Sequence, residues 1–448
     1  MSPAYFRNRL AQMLADSLTG PIREGTPRTV YKTLCLPGKA TVIIGMRRAG
    51  KTTFLHQIRR QRMQSGHPLE RLPYINFEDE RIAGIGAEHL NLLVEEYYRL
   101  FPAFRGKETV SWFFDEIHVV PGWERFVRRL LDTERVEVFL SGSSAAMLSR
   151  EVATSMRGRG WEVVIHPFSF EEFLRHHGHA LPDRLERLTS AKRSELEHAF
   201  HQYLKIGGFP EAQPLSDADR FALLRQYVDV AVLRDVMERH DITNIAALRR
   251  LVRHLLGNPA GLFSAEKFYR DLKSQGIAVS RDTIHQMIAA LEDCFLVRIC
   301  WLDAASERRR MVNPRKVYPV DPGFIRVFDR MGKADVGHAL ETAVRVELER
   351  RTAEAAYVKT AEGYEVDFLA KFPDGRRELI QVCADLEDPD TLQREIRALE
   401  AARSEYPGAE LRLITLTPDI ASGFSKSIRI TAATDWFLEH VNISTNER

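Results

Sequence analysis

Cysteine is scarce in this chain. There are four in 448 residues, Cys35, Cys294, Cys300 and Cys383. They have neither the spacing of a disulfide framework nor the close pairs of a metal-binding module. That argues against a stapled secreted domain. Cys294 and Cys300 lie in an apolar stretch and read as buried free thiols, and a reducing cytoplasm is the expected setting. No uninterrupted apolar run is long enough to span a bilayer. The start, Met1-Ser-Pro-Ala-Tyr-Phe-Arg, has no apolar core of a secretory signal, so no membrane partner is expected. An excess of one charge is also missing. Lys and Arg number 64 against 62 Asp and Glu, a net charge of +2. The chain is therefore no general polyanion coat, and any nucleic-acid contact must come from a local patch. Low-complexity segments and internal repeats are absent as well. What remains is an ordinary soluble composition, 44% hydrophobic and 28% charged. At this length the chain divides into roughly two to four domains.

The strongest local signal is Gly45-Met-Arg-Arg-Ala-Gly50-Lys51-Thr52. An apolar run, Thr41-Val-Ile-Ile44, precedes it, and a helix-like stretch from Thr53 follows. Strand, glycine loop and helix make up the context that turns this spacing into a phosphate-binding P-loop. Glycines let successive backbone N–H groups point at phosphate oxygens, and the helix N-terminus adds positive potential. The candidate nucleotide-binding residues are Gly45, Met46, Arg47, Arg48, Ala49, Gly50, Lys51, Thr52 and Thr53. Lys51 has the reach for the β- and γ-phosphates of ATP, and Thr52 is a ligand type for Mg²⁺.

About 60 residues on, Ser111-Trp-Phe-Phe-Asp115-Glu116 is an apolar strand ending in two acids. Two strands of one parallel sheet bring such ends together. Asp115 is then a second Mg²⁺ residue, and Glu116 prepares the attacking water. A third strand, Val136-Glu-Val-Phe-Leu140, ends in Ser141-Gly-Ser143-Ser144. A polar side chain there could stand between phosphate and acid, with Ser143 the candidate; the same residues also read as a turn capping a helix. Arg157 and Arg159 precede a further strand. Arg159 is the candidate for a guanidinium acting on a neighbouring subunit's ATP. Either arginine equally reads as a surface residue in a glycine-rich loop.

These motifs, with Tyr74-Ile-Asn-Phe-Glu-Asp-Glu80 and His166-Pro-Phe-Ser-Phe-Glu-Glu-Phe173, occur in order. The series resembles a prokaryotic AAA+ ATPase family related to archaeal-type and STAND ATPases. Members of that family carry a C-terminal domain of unknown function with a nuclease-like fold. The resemblance implies an α/β fold: a P-loop AAA+ parallel-sheet core, a helical lid, a winged helix and a restriction-endonuclease-like module. It also implies a homo-oligomer, a ring of about six subunits, and a lid whose Pro210 packs near the nucleotide. Locally, Gly207-Gly-Phe-Pro210 is simply a good turn. The expected divisions are an N-terminal helical segment (1–37), the ATPase core (38–170), the lid (171–245), the winged helix (246–320) and the nuclease-like domain (321–448).

The C-terminal half is legible locally. Ala222 to Met237 has helical spacing. Phe263 to Leu272 and Arg281 to Leu291 read as two helices across a short turn, a helix-turn-helix layout. Strands Phe295 to Trp301 and Arg315 to Val320 would form the wing. Arg308, Arg309 and Arg310, with Arg315 and Lys316, make a five-cation patch of the size that contacts a phosphate backbone. Arg281 and His285 are further DNA-contact candidates; the bland alternative is a packing element with solvated arginines. In the last region a helix opens at Leu340-Glu341, Asp367 lies mid-strand, and Gln381 and Cys383 lie on the following strand. The nuclease layout wants a second acid and a lysine where Gln381 and Cys383 stand. Gln brings no charge to a metal and Cys cannot replace an ammonium. A nuclease-like fold without ordinary nuclease chemistry is expected, and an α/β domain with structural acids is the alternative. Three jobs for the ATPase stay open: DNA binding or remodelling, a STAND-type switch or scaffold, and an ATP-gated nuclease.

Overall fold

A computed structural model describes the chain except residues 1, 21, 143–155, 183, 238–241, 330–335, 419–426 and 440–448. The chain forms two units, Met1–His166 and Pro167–Arg448.

The first unit opens with helix α1 (Pro3–Thr19). Ser2 caps it by accepting from the Tyr5 amide, Pro3 fits its first turn, and Phe6, Leu10, Met13 and Leu14 are buried. The strands and helices that follow are β1 (Ala40–Ile44), α2 (Lys51–Gln64), β2 (Tyr74–Asn76), α3 (Leu90–Leu100), β3 (Val110–Asp115), α4 (Trp123–Thr133), β4 (Val136–Ser141) and β5 (Gly160–Val164). The sheet is parallel throughout, in the order β2-β3-β4-β1-β5. β1 and β3 are buried at every position, as a parallel sheet covered on both faces requires. The register sets Ile43 beside Ser141 and Phe114 beside Leu140. The C-terminal ends of β1, β4 and β3 therefore lie side by side, with β4 between the other two. The expected N-terminal helical segment, 1–37, is helical over Pro3–Thr19. Only α1 is helical, it packs on α3 and β2 within this unit, and residues 22–39 run without regular structure.

The second unit begins with α5 (Phe170–His176), α6 (Ser190–Ile206) and α7 (Asp217–Val230), the last continuing in wider π-type turns over Ala231–Met237. Then come α8 (Ile245–Leu256), β6 (Leu262–Phe263), α9 (Ala265–Ser274), α10 (Arg281–Asp293), β7 (Val297–Leu302), α11 (Glu307–Val312), β8 (Arg315–Pro319) and α12 (Gly323–Phe328). The unit closes with α13 (Val336–Arg350), β9 (Glu354–Lys359), β10 (Glu365–Lys371), β11 (Arg377–Cys383), α14 (Pro389–Glu405), β12 (Glu410–Thr415), β13 (Ile428–Ala432) and α15 (Ala433–Leu438).

These strands form one eight-stranded mixed sheet, β13-β12-β11-β10-β9-β7-β8-β6. The expected boundary between 320 and 321 is thus bridged. β7 pairs in parallel with β9, Trp301 beside Ala356 and Leu302 beside Tyr357. One apolar cluster draws on both sides of that boundary, with Cys300 and Tyr318 packed among Leu340, Phe368 and Ile380. Sequence pattern reveals each strand but not the neighbour it pairs with, and the β7–β9 pairing is what fuses the two expected modules. Glu341, expected near a helix start, lies within α13, which already begins at Val336. Cys294 and Cys300 are buried free thiols, as expected.

Candidate active site

The loop leaving β1 turns sharply. Gly45 has φ 144°, and a Cβ there would strike the Ile165 carbonyl. Gly50 has φ 100° and caps α2. Both positions favour glycine. Ala49 N–H bonds back to the Met46 carbonyl at 3.3 Å and Phe54 N–H to Gly50 at 2.9 Å, so the loop merges with the helix. Lys51, buried in the first turn, folds its ammonium over the loop and donates to the carbonyls of Gly45 and Met46, each at 3.1 Å. Thr52 and Thr53 follow in the same turn, half-buried, and Arg47 and Arg48 lie in the loop, Arg48 exposed.

The acids stand at the neighbouring strand ends. Asp115 closes β3, fully buried. One of its oxygens accepts from the Ser141 hydroxyl at the end of β4, and the other from Tyr74 Oη at 2.7 Å. Ser141 Oγ also accepts from the Glu116 backbone N–H at 3.1 Å. One serine thus ties the two acids together. Glu116 is in the left-handed region, φ 52°, which turns the chain sharply off the strand. Its Oε2 is buried and accepts no hydrogen bond, although His118 Nδ1 lies 3.2 Å away. Burial pushes the Glu116 carboxyl up to about 7. Asp115 and Glu78 add to the rise, while Lys51 and Arg47 oppose it. A carboxylate with that affinity can take a proton near neutral pH.

Mg²⁺ fits this set. Each Asp115 oxygen is oriented by one hydroxyl and keeps a further lone pair. The loop amides, Lys51 and the orphaned Glu116 oxygen suit a polyphosphate and a water.

Sequence reasoning missed two supports and left a third open, since Ser141 stood among the serines ending β4 with Ser143 preferred. Tyr74 and Ser141 position Asp115; their signal was that they lie at the ends of strands adjoining β3. Ser143, the expected polar residue, lies outside the described residues. The other missed support is Arg28, in the irregular segment before β1. Its guanidinium donates to the Ala49 carbonyl at 2.8 Å and to the His166 carbonyl after β5. Gln57 on α2 holds that segment, accepting from Arg28 N–H at 3.2 Å and donating to the Thr26 carbonyl at 2.7 Å. No local motif marks an arginine about 20 residues upstream as a brace for the loop.

Arg159 precedes β5, with Gly160 beside Ala40. It sits at the sheet edge opposite the loop, about 16 Å away along a five-residue strand, paired with Asp132. It cannot serve its own chain's site. Pro210 opens a single 3₁₀ turn in the second unit.

In the second unit the expected basic patch contracts. Arg308, Arg309 and Arg310 are exposed on α11. Arg281 is exposed but paired with Glu266 at 3.0 Å, and His285 contacts Arg315 at 3.2 Å. Arg315 and Lys316 do not belong to a surface patch. Every residue of β8 is buried, Arg315 stacks on Trp301 at 4.5 Å, and the Lys316 side chain is only 4% exposed. β8 is covered on both faces, so it has no face on which to display cations, which is why the expected wing loses two of its five.

The expected nuclease-like acids do converge, and the lysine among them is Lys316. Its Nζ lies 2.8 Å from Asp367, 2.9 Å from Glu365 and 3.1 Å from Glu341. Tyr318 donates to Glu341 at 2.8 Å, and Val382 N–H to Asp367 at 2.9 Å. Gln381 accepts from the Asp367 N–H at 3.3 Å and donates to Glu395 at 2.5 Å. Cys383 donates to the Asp385 carbonyl at 3.1 Å, and burial pushes its thiol up to about 11.

Comparison with known proteins agrees with the first unit's geometry. The AAA domain family matches residues 37–174, and a domain of unknown function, DUF8612, matches residues 197–335. The chain is 35% identical to an uncharacterized protein of Methanocaldococcus jannaschii, MJ1544, over 87% of this chain and 84% of that protein. It is 29% identical to an uncharacterized Haemophilus influenzae protein over 78% and 83%. Among solved structures, the Walker-type ATPase PABY2304 of Pyrococcus abyssi aligns with 72% of this chain and 95% of its own, at 16% identity and a TM-score of 0.39.

Proposed function

This chain belongs to the family of M. jannaschii MJ1544 and carries an AAA domain over residues 37–174, and on that premise we propose that it hydrolyses ATP and couples the turnover to DNA binding or remodelling. The observation that carries the reading is the meeting of Lys51, Asp115, Ser141 and Glu116 at three adjacent strand ends. The loop amides and Lys51 hold the phosphates. Thr52 and Asp115 hold Mg²⁺, which when bound draws charge from the phosphoryl oxygens. Glu116 orients a water and takes its proton as the water oxygen bonds to the γ-phosphorus. The bond from that phosphorus to the ADP oxygen breaks, giving ADP and phosphate. Arg159 acts on a second copy's ATP, which makes the working form an oligomer.

The DNA role is supported by three exposed arginines on α11 and by the element order α8-β6-α9-α10-β7-α11-β8, which resembles that of a winged helix with the short α11 between its two wing strands. Metal-dependent DNA cleavage is not expected, because the nuclease-like acids are already engaged by Lys316. The test is the ATPase rate of the full chain with and without single-stranded, duplex and branched DNA. Stimulation by one of these, lost in Glu116→Gln, is expected. Full ATPase activity with no DNA binding at low salt would favour an ATP-dependent switch instead.

A further inference from the structure

We propose that the Lys316 ammonium is a built-in cation standing where a divalent metal ion would otherwise bind, so that the Glu341–Glu365–Asp367 centre takes a metal only when that ammonium is withdrawn. Three carboxylate oxygens from α13 and β10 point at one nitrogen, at 3.1, 2.9 and 2.8 Å. Oxygen ligands surround Ca²⁺ at about 2.3–2.6 Å, so the shell would need to contract by less than about 1 Å. The other supports are those of a positioned ligand set. Tyr318 fixes Glu341, and the Val382 amide fixes Asp367. Glu365 is 36% exposed and opens the centre to water on one side.

Charge points the same way. One ammonium faces three carboxylates, two of them largely buried. Burying a lysine is costly unless it is paired, and these acids repay that cost. Without the ammonium the acids would repel one another, and a divalent cation would match the buried pair. Lys316 belongs to β8, on the far side of the β7–β9 junction from β10. The same contact therefore clasps the two halves of the sheet.

The probe is Mn²⁺, counted by the loss of its free EPR signal in nucleotide-free full-length protein, alongside thermal melting in chelator and in Mn²⁺. Unaltered protein and Asp367→Asn should bind equal amounts of Mn²⁺. Lys316→Ala should melt lower in chelator, bind one more Mn²⁺ per chain and recover several degrees of melting temperature with it. Lys316→Ala/Asp367→Asn should lose both gains. A drop of one Mn²⁺ from unaltered protein to Asp367→Asn overturns the proposal, and so does a Lys316→Ala protein that binds no more Mn²⁺ than its parent. The Asp367→Asn comparison needs no change at Lys316, so it decides even where Lys316→Ala does not fold. Lys316→Met keeps the packed stem and then supplies the gain-of-binding arm.

Discussion

The two units each bury a lysine beside acids, and the two lysines are held in opposite ways. In the first unit Lys51 is held by carbonyls of its own glycine loop, and Glu116 keeps a buried oxygen without a hydrogen bond. In the second, Lys316 is held by three carboxylates. Neutral carbonyls are weak partners for an ammonium and can be exchanged for phosphate. Carboxylates at hydrogen-bonding distance are strong partners for an ammonium and hold it in place. Reactivity follows the unspent hydrogen-bonding capacity, not the inventory of residue types.

The largest expected effect tests the unspent acid. Glu116→Gln keeps the shape and removes the base, so hydrolysis should fall about 10²–10⁴-fold while ATP still binds. Steady-state rates beside calorimetric binding check this, and a variant turning over at the parent rate would remove Glu116 from the mechanism. Next is the spent lysine. Lys316→Ala leaves buried carboxylates uncompensated and should cost about 3–5 kcal/mol in the second unit's denaturant transition. Lys51→Ala should weaken nucleotide binding with little change in stability. Equal stability losses would erase the contrast between the two centres.

The acidity of Glu116 gives a third measurement. Its folded pKa, about 7, is raised above the ordinary carboxylate value. The folded state therefore holds the proton more tightly, and the base is disabled as pH falls below that point. The kcat/KM for ATP should climb about tenfold per pH unit up to about 7 and then level. A profile flat from pH 5 to 8 would mean that phosphate binding, not this carboxyl, limits the reaction. Arg28→Ala should weaken ATP binding about tenfold, from the bond it makes to the Ala49 carbonyl, with a smaller change in melting temperature. An equal loss for nucleotide and for stability would reduce Arg28 to a scaffold residue. The smallest effect is at the surface. Removing Arg308, Arg309 and Arg310 together should lower the salt slope of DNA binding by about 2–3. An unchanged slope would take α11 out of the DNA role.

The glycine loop was legible from its spacing and its flanking strand and helix, because its constraints lie within eight consecutive residues: two glycines at positive φ, a lysine and a threonine opening a helix. The strand ending in Asp115 and Glu116 was equally plain, since a buried parallel strand is a continuous apolar run. The residues that orient those acids were harder to see. Tyr74 and Ser141 reach Asp115 only because β2 and β4 flank β3, and strand order is not written in any local pattern. Arg28 reaches the loop through a segment with no periodicity to read. In the second unit Arg315 and Lys316 looked like neighbours of Arg308, Arg309 and Arg310, because charge in a sequence reads as exposure until a strand is buried on both faces.

Local chemistry, then, was set by the order of residues: which segments turn, which run apolar, and where a loop can cradle phosphate. Backbone dihedral preferences and side-chain periodicity act over a few positions, so a linear string carries them. The fates of the two lysines were decided by tertiary structure. Lys51 meets carbonyls five and six residues away, whereas Lys316 meets acids 25, 49 and 51 residues away. The β7–β9 pairing brings the β10 acids to it, and the shared apolar cluster sets α13, with Glu341, beside them.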